Sequence, residues 1–126
     1  RSGNRPNISV SIEMPHFIIE HGNALLTQAD MREAMEIAAA CGAQCGFIQP
    51  DDIKVRLTPC AHFLALDGRA SFVHMTVRLL AGRTGAQKEA LAIALRAAMV
   101  ARFPKIESIS VEICDMDPVS YKKHLT

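Results

Sequence analysis

The chain contains no tryptophan and a single tyrosine among its 126 residues, with five phenylalanines. That scarcity argues against an aromatic surface for stacking nucleic-acid bases. Net charge is only +1, and no predicted helix carries a basic stripe, so a nucleic-acid partner is not expected. No apolar run approaches the roughly 20 residues of a membrane-spanning helix. The first residues lack a signal-peptide core, because Asn4, Arg5, Asn7, Ser9 and Ser11 interrupt it. There is no P-loop, no G-x-S-x-G and no G-x-G-x-x-G. The five histidines, at 16, 21, 62, 74 and 124, show no metal-ligand spacing. Cysteines stand at 41, 45, 60 and 114. Cys41-x3-Cys45 has no matching second pair, so free thiols in a reducing cytoplasm are expected rather than a metal centre.

What is present is enough for one domain. Hydrophobic residues make up 49% and charged residues 21%, close to globular averages. "PHFIIEHG" (15–22) is a short apolar run closed by glycine, and it predicts a strand. Thr27-x-x-Asp30 resembles a helix cap. Met31, Ala34, Met35, Ala38 and Cys41 follow at helical spacing, which predicts a helix over 28–43 with Gly42 and Gly46 stopping it. Ile53, Val55 and Leu57 alternate with polar residues as a half-buried strand does. Pro59 interrupts it, and "AHFLAL" (61–66) is expected to resume it before a turn at Asp67-Gly68. "SFVHMTVRLL" (71–80) predicts another strand. Thr84-x-x-Gln87 is a capping box, opening a helix from 85 to about 102 that Pro104 closes. Ile109, Val111 and Ile113 alternate as a last strand.

The two caps, Thr27 and Thr84, lie 57 positions apart, and each opens the helix of a strand–helix–strand run. The fold class expected is therefore α+β, with two β-α-β units in one mixed sheet and both helices on one face. The other sheet face then needs cover, which further subunits would supply. Residues 1–13 read differently from the rest. They are polar, yet Ile8, Val10 and Ile12 alternate, so an N-terminal extension of strand character is expected before a domain at 14–126.

Between Ile53 and Lys88 the cations are Lys54, Arg56, Arg69, Arg78, Arg83 and Lys88, against one acid, Asp67. Such a run is often a solvated face. The sharper reading is a pocket for an anion. Lys54 and Arg56 share one strand face, and Arg83 precedes a helix N-terminus, which itself favours anions. Arginine can also clamp a carboxylate with two parallel hydrogen bonds.

"MPHFIIE", "IKVR", "FVHMTVRLLAGRT" and "VEICDMDP" together resemble the 5-carboxymethyl-2-hydroxymuconate isomerase family of the tautomerase superfamily, over nearly all of 14–126. The resemblance implies homotrimers of βαβ repeats without metal or organic cofactor. It implies small unsaturated oxo- or hydroxy-polycarboxylate substrates from aromatic catabolism. It makes Pro15 the catalytic base, once Met14 is removed. It makes Arg83 and one or both of Lys54 and Arg56 substrate binders. Lys54 stands where the family has arginine, which keeps the charge and loses the bidentate fork. Two other readings follow from the departures. One is a tautomerase for a different small oxo acid. The other is a non-catalytic trimeric anion-binding protein in which residues 1–13 keep Pro15 blocked.

Overall fold

The computed structural model describes residues 15–126. The expected extension at 1–13, with its alternating Ile8, Val10 and Ile12, lies outside the described residues. Four strands and two helices follow in the order β1 (His16–Gly22), α1 (Gln28–Gln44), β2 (Lys54–Pro59), β3 (Phe72–Leu80), α2 (Gly85–Arg102) and β4 (Ile109–Met116). They form one sheet in the order β2-β1-β3-β4. β1 runs parallel to β2, and β3 parallel to β4, while β1 and β3 meet antiparallel in the centre. Two βαβ units thus join edge to edge, as the repeat of caps predicts.

Alternation decides which face is buried. Phe17 and Ile19 of β1, with Val73, Met75, Val77 and Leu79 of β3, are fully or almost fully buried. Leu91, Leu95 and Met99 of α2 meet them at four-residue intervals, and Ala34 and Ala38 of α1 do the same. The helix caps form as read. Thr27 Oγ1 accepts the Asp30 N–H at 3.0 Å. Thr84 and Gln87 exchange both bonds of a capping box, at 3.1 and 2.9 Å.

Two expectations need correction. Gly42 does not stop α1, which continues to Gln44. A Cβ at Gly42 would stand 2.7 Å from Phe17 Cζ, so this glycine lets the helix approach the sheet, and Gly46, with φ of +93°, follows the helix end. Residues 61–66 do not form a strand. The last ladder bond beyond Pro59 runs from Cys60 N–H to the His21 carbonyl at 2.7 Å. The chain then leaves the sheet edge as a loop. Phe63 packs edge-on against Phe72, with ring centroids 4.9 Å apart, while Leu64 and Leu66 are 85% and 94% exposed. Among the described residues no strand pairs with this alternation.

Candidate active site

The sheet's second face is made by the even-numbered residues of β1–β4. On it His16 pairs in register with Lys54 of β2 and with Arg78 of β3, and Ile18 pairs with Arg56. Strand pairing therefore gathers three cations from two strands around one histidine. Pro15 lies at the same end, buried, and its carbonyl accepts the Lys54 N–H at 3.1 Å. β3 also ends here, so Arg83 leaves the sheet at this end. Its guanidinium donates from Nη2 to the Phe47 carbonyl at 2.9 Å, in the loop after α1. Burial holds the Arg83 guanidinium below the ordinary arginine value.

The four residues singled out in the sequence are thus placed at one end of the sheet but not on one surface. Lys54 and Arg56 stand on the sheet face away from the helices. Arg83 is turned toward the helix-side loop. Pro15 is buried immediately before β1.

His16 is the hub of the open face. Arg56 Nη1 lies 3.3 Å from His16 Nδ1, and Tyr121 Oη lies 3.1 Å from His16 Nε2. A guanidinium can only donate, so Nδ1 accepts, the ring proton sits on Nε2, and Nε2–H donates to Tyr121. Protonating Nδ1 would aim a hydrogen at Arg56. Burial first, then Arg56, Lys54, Arg78 and Lys123, all hold the His16 pKa below its ordinary 6.5. Beside this ring lies a cavity of about 320 Å³, walled by Arg56, Arg78, Ser120 and Tyr121 and reaching Met116 and Asp117. His16 and Tyr121 carry no local mark in the sequence, and Arg78 is marked only as one cation of the run from Lys54 to Lys88. The cluster exists only once β1, β2, β3 and the C-terminal segment are in register.

A larger cavity of about 450 Å³ lies at the opposite end of β1, under the 61–70 loop. Its arginine, Arg69, already donates to Asp67 at 2.7 Å, and Asn23 donates to the Ala70 carbonyl. Its polar groups largely satisfy one another. The four cysteines are free thiols, and burial raises the Cys41 pKa, which keeps it protonated.

The fold has many solved relatives. A 5-carboxymethyl-2-hydroxymuconate isomerase from Deinococcus radiodurans R1 superposes with a TM-score of 0.75 at 22% identity, covering 90% of this chain and 91% of that one. A 5-carboxymethyl-2-hydroxymuconate delta-isomerase gives 0.68 at 18% identity, covering 90% and 89%. A fused 4-OT symmetric trimer gives 0.73 at 19% identity, covering 86% and 90%. No curated protein matches the sequence. The sequence profile of 5-carboxymethyl-2-hydroxymuconate isomerase matches residues 15–124. With its paired βαβ units and a match that begins at Pro15, this chain belongs to the 5-carboxymethyl-2-hydroxymuconate isomerase family, within the tautomerase superfamily.

Proposed function

We propose that the processed protein, with Pro15 as its first residue, is a 5-carboxymethyl-2-hydroxymuconate delta-isomerase. The observation that carries this reading is the coincidence of two things at one place. The family match starts at Pro15, and Pro15 lies buried at the cationic end of the sheet, bonded through its carbonyl to Lys54.

The chemistry follows from what a terminal proline is. While Met14 is attached, the Pro15 nitrogen is an amide whose lone pair is delocalised into the carbonyl. Once freed it is a secondary amine. Terminal α-amines titrate at about 7.7–8.0. Burial and neighbouring cations disfavour the protonated form and lower that value, which leaves a neutral base near pH 7. Pro15 N takes the proton of the substrate's 2-hydroxyl, the double bonds shift, and the oxygen becomes a 2-oxo group. The ammonium then returns the same proton to a carbon further along the chain. Base and acid steps are consecutive, so one nitrogen serves both.

Lys54 and Arg83 bind substrate carboxylates beside Pro15, and Arg56 completes the cationic set. The same charges stabilise the dienolate that develops between the two proton transfers. Lys54 offers a point charge where a guanidinium would offer a fork, which favours a second reading on substrate choice, a tautomerase of another small oxo acid. Steady-state rates on 5-carboxymethyl-2-hydroxymuconate, 2-hydroxymuconate and phenylenolpyruvate separate the two. The isomerase reading expects the carboxymethyl substrate to have the highest kcat/KM. Preference for a substrate without that group transfers the assignment to the second reading.

The homotrimer belongs to the same proposal. Among the described residues no helix covers the sheet's second face, and a relative of this fold is a symmetric trimer. The setting proposed is aromatic catabolism in the cytoplasm. Among the described residues no helix is long and apolar enough to cross a membrane.

A further inference from the structure

The cavity beside His16 brings two guanidinium groups and two hydroxyls together, those of Arg56, Arg78, Ser120 and Tyr121, with Met116 and Asp117 completing its wall. Arg56 spends one N–H on His16 Nδ1 and has others left. Arg78 makes no ion pair among the described residues. Tyr121 Oη receives its hydrogen bond from His16 Nε2–H, so its own O–H is free to point into the cavity. Ser120 adds a further hydroxyl at the wall. One acid, Asp117, also lines the cavity; its Oδ1 accepts the Val119 N–H at 2.9 Å, and its negative charge is set against the two guanidinium groups. Lys54, Arg56, Arg78 and Lys123 all bear electrostatically on His16.

We propose that this cavity is a second anion site, which takes a small oxyanion, a carboxylate or a phosphate, between Arg56, Arg78 and the Tyr121 hydroxyl. The fork of a guanidinium matches two oxygens of such a group, and two forks with one hydroxyl supply donors from three directions. His16 acts as the positioning residue. Its fixed tautomer holds Arg56 on one side and turns the Tyr121 hydroxyl outward on the other. The site shares Arg56 with the isomerase reading but needs neither a free Pro15 amine nor turnover.

The test uses the full 126-residue chain, in which Pro15 is acylated and cannot act as a base. Histidine-labelled protein is titrated with inorganic phosphate and, separately, with malonate, and sodium chloride is used to match ionic strength. The His16 ring resonance is identified by its loss in His16→Gln. A saturable shift of that resonance is expected, with the His16 pKa rising as the anion offsets its cationic neighbours. Arg78→Gln is expected to weaken the apparent affinity about tenfold or more, the scale of a lost charge-assisted bond. Tyr121→Phe, which removes one hydroxyl and little else, weakens it by a smaller factor. Saturation by phosphate alone identifies a phosphate site, and saturation by malonate alone a carboxylate site. A shift that does not saturate, that sodium chloride reproduces, or that survives Arg78→Gln unchanged overturns the proposal. Failure of the isomerase assay leaves it standing, and its own failure leaves the isomerase reading intact.

Discussion

At the scale of single residues, the structure turns on side chains whose neighbours fix their chemical form. His21 is buried, and its Nδ1 accepts the Leu25 N–H at 3.1 Å and the Ala24 N–H at 3.4 Å. The ring proton therefore sits on Nε2, which has no hydrogen-bond partner among the described residues. A second proton would have to go to Nδ1, against two N–H groups, and burial lowers the His21 pKa below its ordinary 6.5. The unfolded chain then binds more protons than the folded one at mildly acid pH. The stabilisation is complete above about pH 6.5 and is lost as pH falls below it. In urea unfolding, His21→Leu is expected to be less stable than the parent at pH 8. The gap should narrow at pH 5, and a constant gap contradicts the assignment. Gly42 makes a second residue-scale case. In an exposed helix interior, Gly→Ala gains about 1 kcal/mol. At Gly42 the new Cβ meets the Phe17 ring at 2.7 Å, and overpacking of that kind costs about 1–3 kcal/mol. Gly42→Ala is expected to lower the urea midpoint, and a higher midpoint would show that Phe17 can move aside. The sequence could not distinguish a helix-stopping glycine from one that admits a neighbouring ring, because that difference lies in the partner.

At the scale of elements, sequence and structure agree wherever a segment satisfies its own hydrogen bonds. The Thr84–Gln87 box closes its own two hydrogen bonds, so its sequence and its geometry agree. Thr84→Ala removes the acceptor for the Gln87 N–H and is expected to lose about 0.5–2 kcal/mol in chemical denaturation. An unchanged midpoint would mean that packing of α2 alone sets its start. Leu91, Leu95 and Met99 were not separable by pattern from other apolar residues of the Ala- and Leu-rich α2, yet these three face the sheet. Segment 61–66 shows the limit from the other side. Its alternation is that of a strand, but a strand exists only with a partner. After Pro59, which has no N–H to give, the chain leaves β1. The active-site candidates divide along the same line. Lys54, Arg56, Arg78 and Arg83 are legible as a local run of charge. His16 and Tyr121, and the place of Arg78 beside them, become visible only with the register of β1 on β3 and the fold-back of the C-terminal segment.

At the scale of the whole molecule, one sheet face is covered by both helices, and among the described residues the other meets only the C-terminal segment, through Tyr121 on His16. That second face carries Ile18 between Arg56 and Thr76 in register. Leu64 and Leu66 project from the loop, and Val119 and Leu125 from the C-terminal segment. Exposed apolar residues at loop and tail suit contacts between copies better than contact with water. Native mass spectrometry is expected to give three times the 13.7 kDa chain mass, and Leu64→Ser with Leu66→Ser is expected to shift it toward monomer without loss of helical signal. A monomer in the parent protein at micromolar concentration contradicts the proposed assembly. The bipartite plan itself was readable from the 57-residue spacing of the caps, since each half must bury its helix on its own pair of strands.

The central claim is that one nitrogen, freed by processing, performs the proton transfer. It is tested by comparing two proteins of verified intact mass, one beginning at Pro15 and one retaining Met14, on the same dienol substrate. The account predicts rapid isomerisation by the first, with a kcat/KM that rises with the deprotonation of a group titrating below the ordinary α-amine range. It predicts loss of that activity by several orders of magnitude in the second. Equal rates for the two proteins would contradict it.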